Sequence, residues 1–229
     1  MPNLRVTWYN PPMINDKRIK RIDDALSRKQ PTLQIMLDNV HSSQNLSAII
    51  RSCDAVGVLD IYYSSKENET LRIHKTITQG AHRWTHRHRM NDAHKAAFLK
   101  EKKAQGFQVV VTHLEECAVS FREIDYTKPT LLVIGNEKEG VSSEVIAMAD
   151  EVIIIPMQGM VQSLNVSVAT ALILYEAQRQ LENIGRYDEP MLSEEKREEI
   201  KAAWIYRDTI ARRSKGEIAL EFREEIIDL

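Results

Sequence analysis

Three short apolar runs constrain the fold more than any other feature of this sequence: FQVVVT (107–112), TLLVIG (130–135) and EVIIIP (151–156). Each run is nearly continuous in apolar residues instead of alternating with polar ones, which is typical of parallel strands buried on both faces. LQIML (33–37) and DIYY (60–63) are predicted as further strands. Because helical segments separate these strands, the sequence predicts an α/β fold with a parallel sheet.

The segments between the strands carry helical periodicity. Predicted helices cover residues 13–30, 45–55, 91–105, 142–149 and 164–181, with a charged helical tail over 188–229 and a loop-rich stretch over 64–80. The first half of the helix at 164–181 is apolar nearly all round. That pattern predicts burial on every side, either in a core or against a second subunit.

Composition excludes several classes of protein. With 43% hydrophobic and 28% charged residues, the chain can form a sizeable core and is not disordered throughout. No apolar run is long enough to cross a bilayer, and the first residues lack the apolar stretch of a signal peptide. The two cysteines form no CxxC pattern, which excludes a disulfide framework and a zinc ribbon. We therefore expect a cytoplasmic protein.

The net charge of −2 conceals an uneven distribution. Residues 1–110 contain 18 Lys and Arg against 10 Asp and Glu, whereas residues 111–229 contain 13 against 23. Such asymmetry can mark a face that binds a polyanion. It can equally arise from solvated helix faces, and charge alone does not separate these two interpretations.

The ends of the apolar strands form one candidate site. Thr112, Gly135 and Pro156 each end a predicted strand, and in open α/β sheets ligands bind outside the carboxyl ends of the strands. Met157, Met160 and Leu164 follow closely and would line such a pocket. GNEKEG (135–140) matches neither GxGxxG nor the P-loop, so a Rossmann or NTPase site is not predicted. The alternative is a set of ordinary turns.

Arg51 is the second candidate, because it lies among apolar neighbours in the helix at 45–55. Its charge would be costly to bury alone, so it needs an anion or a carbonyl as partner. Asp54 could be that partner, which would make the role of Arg51 structural. Asn45 and Ser47 are plausible caps at the start of the helix.

A basic segment at 83–89 interleaves Arg83, Arg87 and Arg89 with Trp84 and histidines, a pattern that suits contact with RNA. A solvated strand edge explains it equally well. His86-x-His88 could ligate a metal, but the sequence places no acidic or cysteine residue beside it, and we predict no metal site.

Three segments resemble the motifs of the SPOUT methyltransferases, in the order that the family has them. They are NVHSSQNLSAIIRSCDAVGV (39–58), LLVIGNEKEGVS (131–142) and IIIPMQGMVQSLNVSVATALILYEAQRQ (153–180). The chain is most similar to the TrmH type, the tRNA (guanosine-18) 2′-O-methyltransferases. The resemblance implies a deep trefoil knot over about 130–180, an S-adenosylmethionine site within it and a homodimer.

The resemblance also implies roles for individual residues. Arg51 matches the catalytic arginine and Asn45 its companion, whereas Glu137 would organise a loop. Cofactor contacts carried over by motif fall at Thr112, Gly135, Ile155, Met157 and Leu164, with Ser163 and Asn165 in support. No metal is needed for this chemistry.

The tail departs from the family. Residues 188–229 hold 12 acidic and 8 basic residues and lack the Gly-x-Pro-Tyr-Pro segment that family tails often carry. Binding of tRNA is therefore expected to rest on the N-terminal helix and the 83–89 segment, through Arg18, Arg21, Arg83 and Arg87. An rRNA methyltransferase and a catalytically silent RNA-binding SPOUT protein remain as alternatives. The expected organisation is a basic extension (1–31), a methyltransferase domain (32–183) and a charged tail (184–229).

Overall fold

The computed structural model describes residues 15–65, 72–115, 118–136, 138–213 and 225–226. The helices are α1 (Asp16–Ser27), α2 (Ser43–Ala55), α3 (Lys75–Thr78), α4 (Lys95–Ala104), α5 (Ser143–Ile146), α6 (Val166–Asn183) and α7 (Glu194–Arg213). The strands are β1 (Leu33–Asp38), β2 (Asp60–Ser65), β3 (His86–Asn91), β4 (Gln108–Thr112), β5 (Val119–Ser120), β6 (Thr130–Gly135), β7 (Glu151–Ile154) and β8 (Glu225–Ile226).

These strands form one sheet in the order β5-β7-β4-β6-β1-β2-β3-β8, and every pair in it is parallel. All six residues of β1 and all six of β6, the two central strands, are buried. The predicted α/β class with a parallel sheet is therefore confirmed, and TLLVIG is one of its central strands. The run EVIIIP forms β7, which lies next to the edge strand β5 and buries only Ile153. Because every strand points the same way, all carboxyl ends lie at one edge.

Helices cover both faces of the sheet. On one face, Leu46 and Ile49 of α2 pack with Ile173 and Leu174 of α6 in a single buried cluster. On the other, α4 and α5 pack through Phe98, Leu99 and Val145. A third, smaller cluster joins α1 to α7 through residues that include Ile22, Leu26 and Trp204. The first and last helices that the structure describes are thus in contact.

Of the two forms of burial predicted for α6, in a core or against a second subunit, the single chain excludes the core on every side. One stripe of the helix is buried, but Val168, Leu172 and Tyr175 are about half exposed. Their spacing of four and three residues places them on one face. The stretch predicted as loop-rich contains the short helix α3. Within the described residues, no helix is long and apolar enough to cross a membrane.

Candidate functional site

A cavity of about 580 Å³ lies at the carboxyl ends of β4, β6 and β7. We call it the cofactor cavity. All seven residues that the sequence analysis assigned to cofactor binding line it: Thr112, Gly135, Ile155, Met157, Ser163, Leu164 and Asn165. Residues of the loops that follow β4 and β6, and apolar side chains such as Ile134 and Ile173, complete the lining. The prediction for Met160 is wrong, because this residue is exposed and does not line the cavity. The parallel sheet explains the convergence, since it brings these strand ends to one edge.

The loop that follows β6 folds back over the end of its own strand. Asn136 and Gly140 exchange two backbone hydrogen bonds of 3.1 Å, and Gly140 has a φ of +71°, which favours glycine. A side chain at Gly135 would collide with the backbone of Gly140. Asn136 Oδ1 accepts from the amides of Lys138 and Glu139, at 2.8 and 2.7 Å. These contacts fix the conformation of the loop that forms this wall of the cofactor cavity. Glu137 lies outside the described residues.

Asn45 is connected to the cofactor cavity by a hydrogen bond. Its Oδ1 accepts from Nδ2 of Asn165 at 3.3 Å. Asn165 also caps α6, because its Oδ1 accepts from the amide of Ser167. The prediction that Asn45 and Ser47 cap α2 is wrong, since the capping side chain is that of Ser42, which accepts from the amide of Asn45 at 3.2 Å. The Asn45 side chain is left to face α6.

Arg51 is exposed, so the expectation of a guanidinium among apolar side chains is wrong. The apolar neighbours in sequence point to other sides of α2, and Nη1 of Arg51 lies 3.5 Å from the carbonyl oxygen of Ile77. Asp54, the suggested partner, instead accepts from the buried Nζ of Lys29 at 2.9 Å. Arg51 is therefore directed towards solvent beside α3.

A second cavity, of about 860 Å³, lies next to Arg51. We call it the basic cavity, because it is lined by more cationic than acidic side chains. The cations are Arg18, Arg21, Arg28, Lys29, Arg51 and Arg83, and the acids are Asp54, Glu182 and Asp188. The structure thus brings three of the four predicted RNA-binding arginines to the candidate catalytic arginine. Arg87 lies in β3, in register with Ile61, and does not line this cavity.

Two of these arginines are held by a carboxylate that the sequence analysis missed. Asp208 of α7 is buried and accepts from Nε and Nη2 of Arg18 at 3.2 and 3.0 Å, and from Nη1 of Arg83 at 3.2 Å. Both guanidinium groups also lie over the ring of Trp84, with Cζ 5.1 and 5.4 Å from its centroid. Sequence spacing could not have indicated this contact, because 190 residues separate Arg18 from Asp208.

The histidines at 86 and 88 do have an acidic neighbour, contrary to the sequence analysis. Oδ1 of Asp60 lies 2.8 Å from Nε2 of His88 and 3.5 Å from Nδ1 of His86. Burial alone would raise the pKa of Asp60, but hydrogen bonds from both imidazoles together hold it well below its usual range. The three residues begin β2 and β3, so they lie at the edge of the sheet opposite the cofactor cavity. Pairing of these strands, not local spacing, brings them together.

Comparisons with known proteins identify the relatives of this chain. Residues 32–175 match the model of the SpoU rRNA Methylase family. A tRNA (guanosine(18)-2′-O)-methyltransferase of Aquifex aeolicus is 49% identical over 203 residues, which cover 89% of this chain and 95% of that protein.

Solved structures give the same result. A structure described as an A. aeolicus TrmH/SpoU tRNA modifying enzyme superposes with a TM-score of 0.80 at 50% identity, over 84% of this chain and 97% of that one. An AdoMet-bound rRNA methyltransferase from Sinorhizobium meliloti reaches a TM-score of 0.57 at 33% identity, over 67% of this chain and 62% of that one.

Proposed function

The chain belongs to the SpoU rRNA Methylase family, and on that premise we propose that it transfers a methyl group from S-adenosylmethionine to the ribose 2′-oxygen of guanosine 18 in tRNA. One observation carries the proposal: the seven residues matched to cofactor binding surround a single cavity, which Asn165 joins to Asn45. The relative from A. aeolicus, similar over nearly its whole length, favours tRNA over rRNA as the substrate.

The cofactor cavity fits a nucleoside-sized ligand. Its volume of about 580 Å³ lies within the range of about 300–1,000 Å³ that is usual for small-molecule sites. Ile134, Ile155 and Leu164 offer apolar surface for a base, and Thr112, Asn136 and Ser163 add polar residues to the lining. This mixture of apolar walls and polar residues suits S-adenosylmethionine.

When bound, S-adenosylmethionine would supply an activated methyl group on a sulfonium and would leave as S-adenosylhomocysteine. What remains for the protein is to position the ribose and to stabilise the 2′-oxygen as its proton passes to solvent. A guanidinium group carries positive charge and only hydrogen-bond donors, so Arg51 is suited to stabilise the oxygen and not to act as a base. In this proposal Asn45, which is hydrogen-bonded to Asn165, orients the reacting ribose. This scheme assigns no role to a metal ion.

The basic cavity is the proposed RNA surface. It joins Arg51 to Arg18, Arg21 and Arg83, so a phosphate bound there would lie beside the candidate catalytic residue. Arginine suits phosphate because its planar guanidinium donates two parallel hydrogen bonds. Arg87 does not line this cavity, and its contact with RNA stays a prediction.

The exposed apolar face of α6 supports a homodimer. Val168, Leu172 and Tyr175 lie on this face, and Met160 and Val161 in the preceding loop are also exposed. Apolar patches of this kind mark interaction sites in soluble proteins. A second copy that covers this face would also shield the loop at 157–165, which lines the cofactor cavity. We therefore propose pairing through α6.

The remaining features follow from membership of the family. We propose that the segment at about 130–180 is threaded as a deep trefoil knot, an exception to the rule that chains are not knotted. Support comes from α6, which follows β7 yet packs against β6 and α2, so the chain recrosses the carboxyl ends of the sheet. We propose the domain boundaries 1–31, 32–183 and 184–229. A tRNA substrate also favours a cytoplasmic location, which stays a prediction.

The test is methyl transfer from labelled S-adenosylmethionine to a tRNA transcript, followed by nucleoside analysis. We expect 2′-O-methylguanosine at position 18, and no incorporation into a matched transcript that carries 2′-deoxyguanosine there. Incorporation into rRNA alone would favour the rRNA methyltransferase. Tight tRNA binding without any transfer would favour the catalytically silent protein.

A further inference from the structure

A buried carboxylate lies directly behind the wall of the cofactor cavity. Asp38 is the last residue of β1, in register with Gly135 of β6, and is 1% exposed. Its Oδ2 accepts from the backbone amide of Ser142 at 2.7 Å. Ser142 follows the loop that runs from Gly135 to Gly140, so Asp38 holds the point where this loop leaves the cavity.

The other oxygen of Asp38 is paired with a buried lysine. Nζ of Lys95, in α4, lies 2.6 Å from Asp38 Oδ1, 2.7 Å from Asp92 Oδ1 and 3.4 Å from Ser142 Oγ. Burial alone would lower the pKa of Lys95, but its hydrogen bonds to Asp38 and Asp92 raise it. Lys95 is therefore charged at neutral pH and forms a buried ion pair with Asp38.

We propose that Asp38, fixed by Lys95, is a positioning residue for the cofactor loop at 135–142. The inference rests on the proposed cofactor site and deepens it. Gly135 pins the start of the loop, because the backbone of Gly140 lies directly against it, and Asp38 pins the end through Ser142. Asp38 does not line the cavity itself, so it acts through the backbone of the loop.

Energetics favour this role over a purely stabilising one. A buried ion pair adds little net stability, because the cost of removing two charges from water offsets their attraction. What it does supply is a fixed geometry. An ionised acceptor also binds a backbone amide about twice as strongly as a neutral one. The loop therefore has its binding conformation before the cofactor binds.

The chain contains a control in which the same lysine–aspartate–amide pattern recurs away from the cavity, at a more exposed pair of side chains. Asp150 accepts from Nζ of Lys103, also in α4, at 2.7 Å and from the amide of Val109 at 2.8 Å. This carboxylate lies at the amino end of β4 and does not line the cofactor cavity. The variant Asp150→Asn therefore changes a lysine–aspartate–amide contact and leaves the loop at 135–142 unaltered.

The experiment measures binding of S-adenosylhomocysteine by calorimetry, without RNA, to the full chain and its variants. Asp38→Asn cannot accept from both Lys95 and Ser142, because one of its two atoms is a donor. We expect its Kd to rise about tenfold or more, whereas Asp150→Asn binds as the unchanged protein does. In methyl transfer, Asp38→Asn should raise KM for S-adenosylmethionine more than it lowers kcat.

A second pair of variants covers the case in which Asp38→Asn does not fold. Ser142 has a φ of −63°, which proline accepts, so Ser142→Pro removes the donated amide hydrogen and leaves Asp38 and Lys95 paired. Ser142→Ala removes only the hydroxyl. We expect weaker binding for proline and unchanged binding for alanine.

The outcomes are distinct. Unchanged affinity in a folded Asp38→Asn or Ser142→Pro protein overturns the inference and leaves the proposed function intact. An unchanged protein that fails to bind S-adenosylhomocysteine overturns the cofactor site, and this inference with it.

Discussion

Nδ2 of Asn165 donates to Oδ1 of Asn45 across 3.3 Å, although 120 residues separate them. The contact joins the start of α6, at the cofactor cavity, to α2. Helix α2 also carries Arg51, which lines the basic cavity. Helix α2 therefore connects the two cavities, and a substrate that reaches from one to the other must pass along it.

Arg51→Ala should lose methyl transfer by about a hundredfold or more, the scale for removing one key group that stabilises charge. Because Arg51 is exposed and Asp54 pairs with Lys29, the melting temperature and cofactor affinity should hardly change. Arg51→Lys keeps the charge without the planar fork and should restore little. The measurement is single-turnover transfer at saturating tRNA. Full activity in a folded Arg51→Ala protein would remove this residue from the mechanism.

Gly135→Ala should abolish binding of S-adenosylhomocysteine, because a methyl group at this position would collide with the backbone of Gly140 and displace the loop. Gly159→Ala is the control, since Gly159 has open space around the position of a Cβ atom. Calorimetry without RNA compares the two variants. Equal affinity for both would mean that the cofactor does not contact this loop.

Arg21→Glu should weaken tRNA binding and reduce its salt dependence, since fewer counterions are released when one phosphate contact is lost. Arg21 is exposed and lines the basic cavity, so the fold should be unaffected. Lys100→Glu makes the same change of charge on α4, on the other face of the sheet, and should have a smaller effect. Filter binding at several salt concentrations measures both.

Arg18→Glu should behave differently from Arg21→Glu, because Arg18 pairs with buried Asp208. Reversing the charge at residue 18 places two carboxylates together and leaves Asp208 without one of its cations. The melting temperature should therefore fall as well. A thermal melt separates the two variants. An unchanged melt for Arg18→Glu would contradict the structural role of this ion pair.

Leu172→Glu should convert a dimer to a monomer, because a charge in an apolar interface is costly to bury. Leu172 is 44% exposed in the single chain, so its own fold tolerates the change. Light scattering at micromolar protein gives the mass. A monomer mass for the unchanged protein would refute the dimer, and a dimer that survives Leu172→Glu would place the interface elsewhere.

Stability should fall as the pH drops from about 6.5 towards 4, in part because of His82. Burial, together with the nearby charges of Arg87, Arg83 and Lys75, lowers the pKa of His82 to about 4. In this window the unfolded chain takes up a proton that the folded one does not, so protonation favours unfolding. His82→Gln should flatten the curve of melting temperature against pH. An identical slope of melting temperature against pH for His82→Gln and the unchanged protein would contradict the lowered pKa of His82.

The central strands were predictable because apolar runs are a local signal. TLLVIG is one strand from end to end, and the pocket at the strand ends follows from parallel order alone. Contacts between distant segments were not predictable. The pairing of Asp208 with Arg18 and Arg83, and of Asp60 with His86 and His88, depends on how helices and strands dock. The exposure of Arg51 was missed because sequence neighbours in a helix point in different directions.

The contact between α1 and α7 also sets an order of events during synthesis. A ribosome releases Arg18 early, but Asp208 emerges only after the complete segment that forms the cofactor cavity. Nascent chains fold from the N-terminus onwards as they leave the ribosome. The cofactor cavity can therefore be completed while Arg18 and Arg83 still lack their carboxylate, and the proposed RNA surface is completed after it.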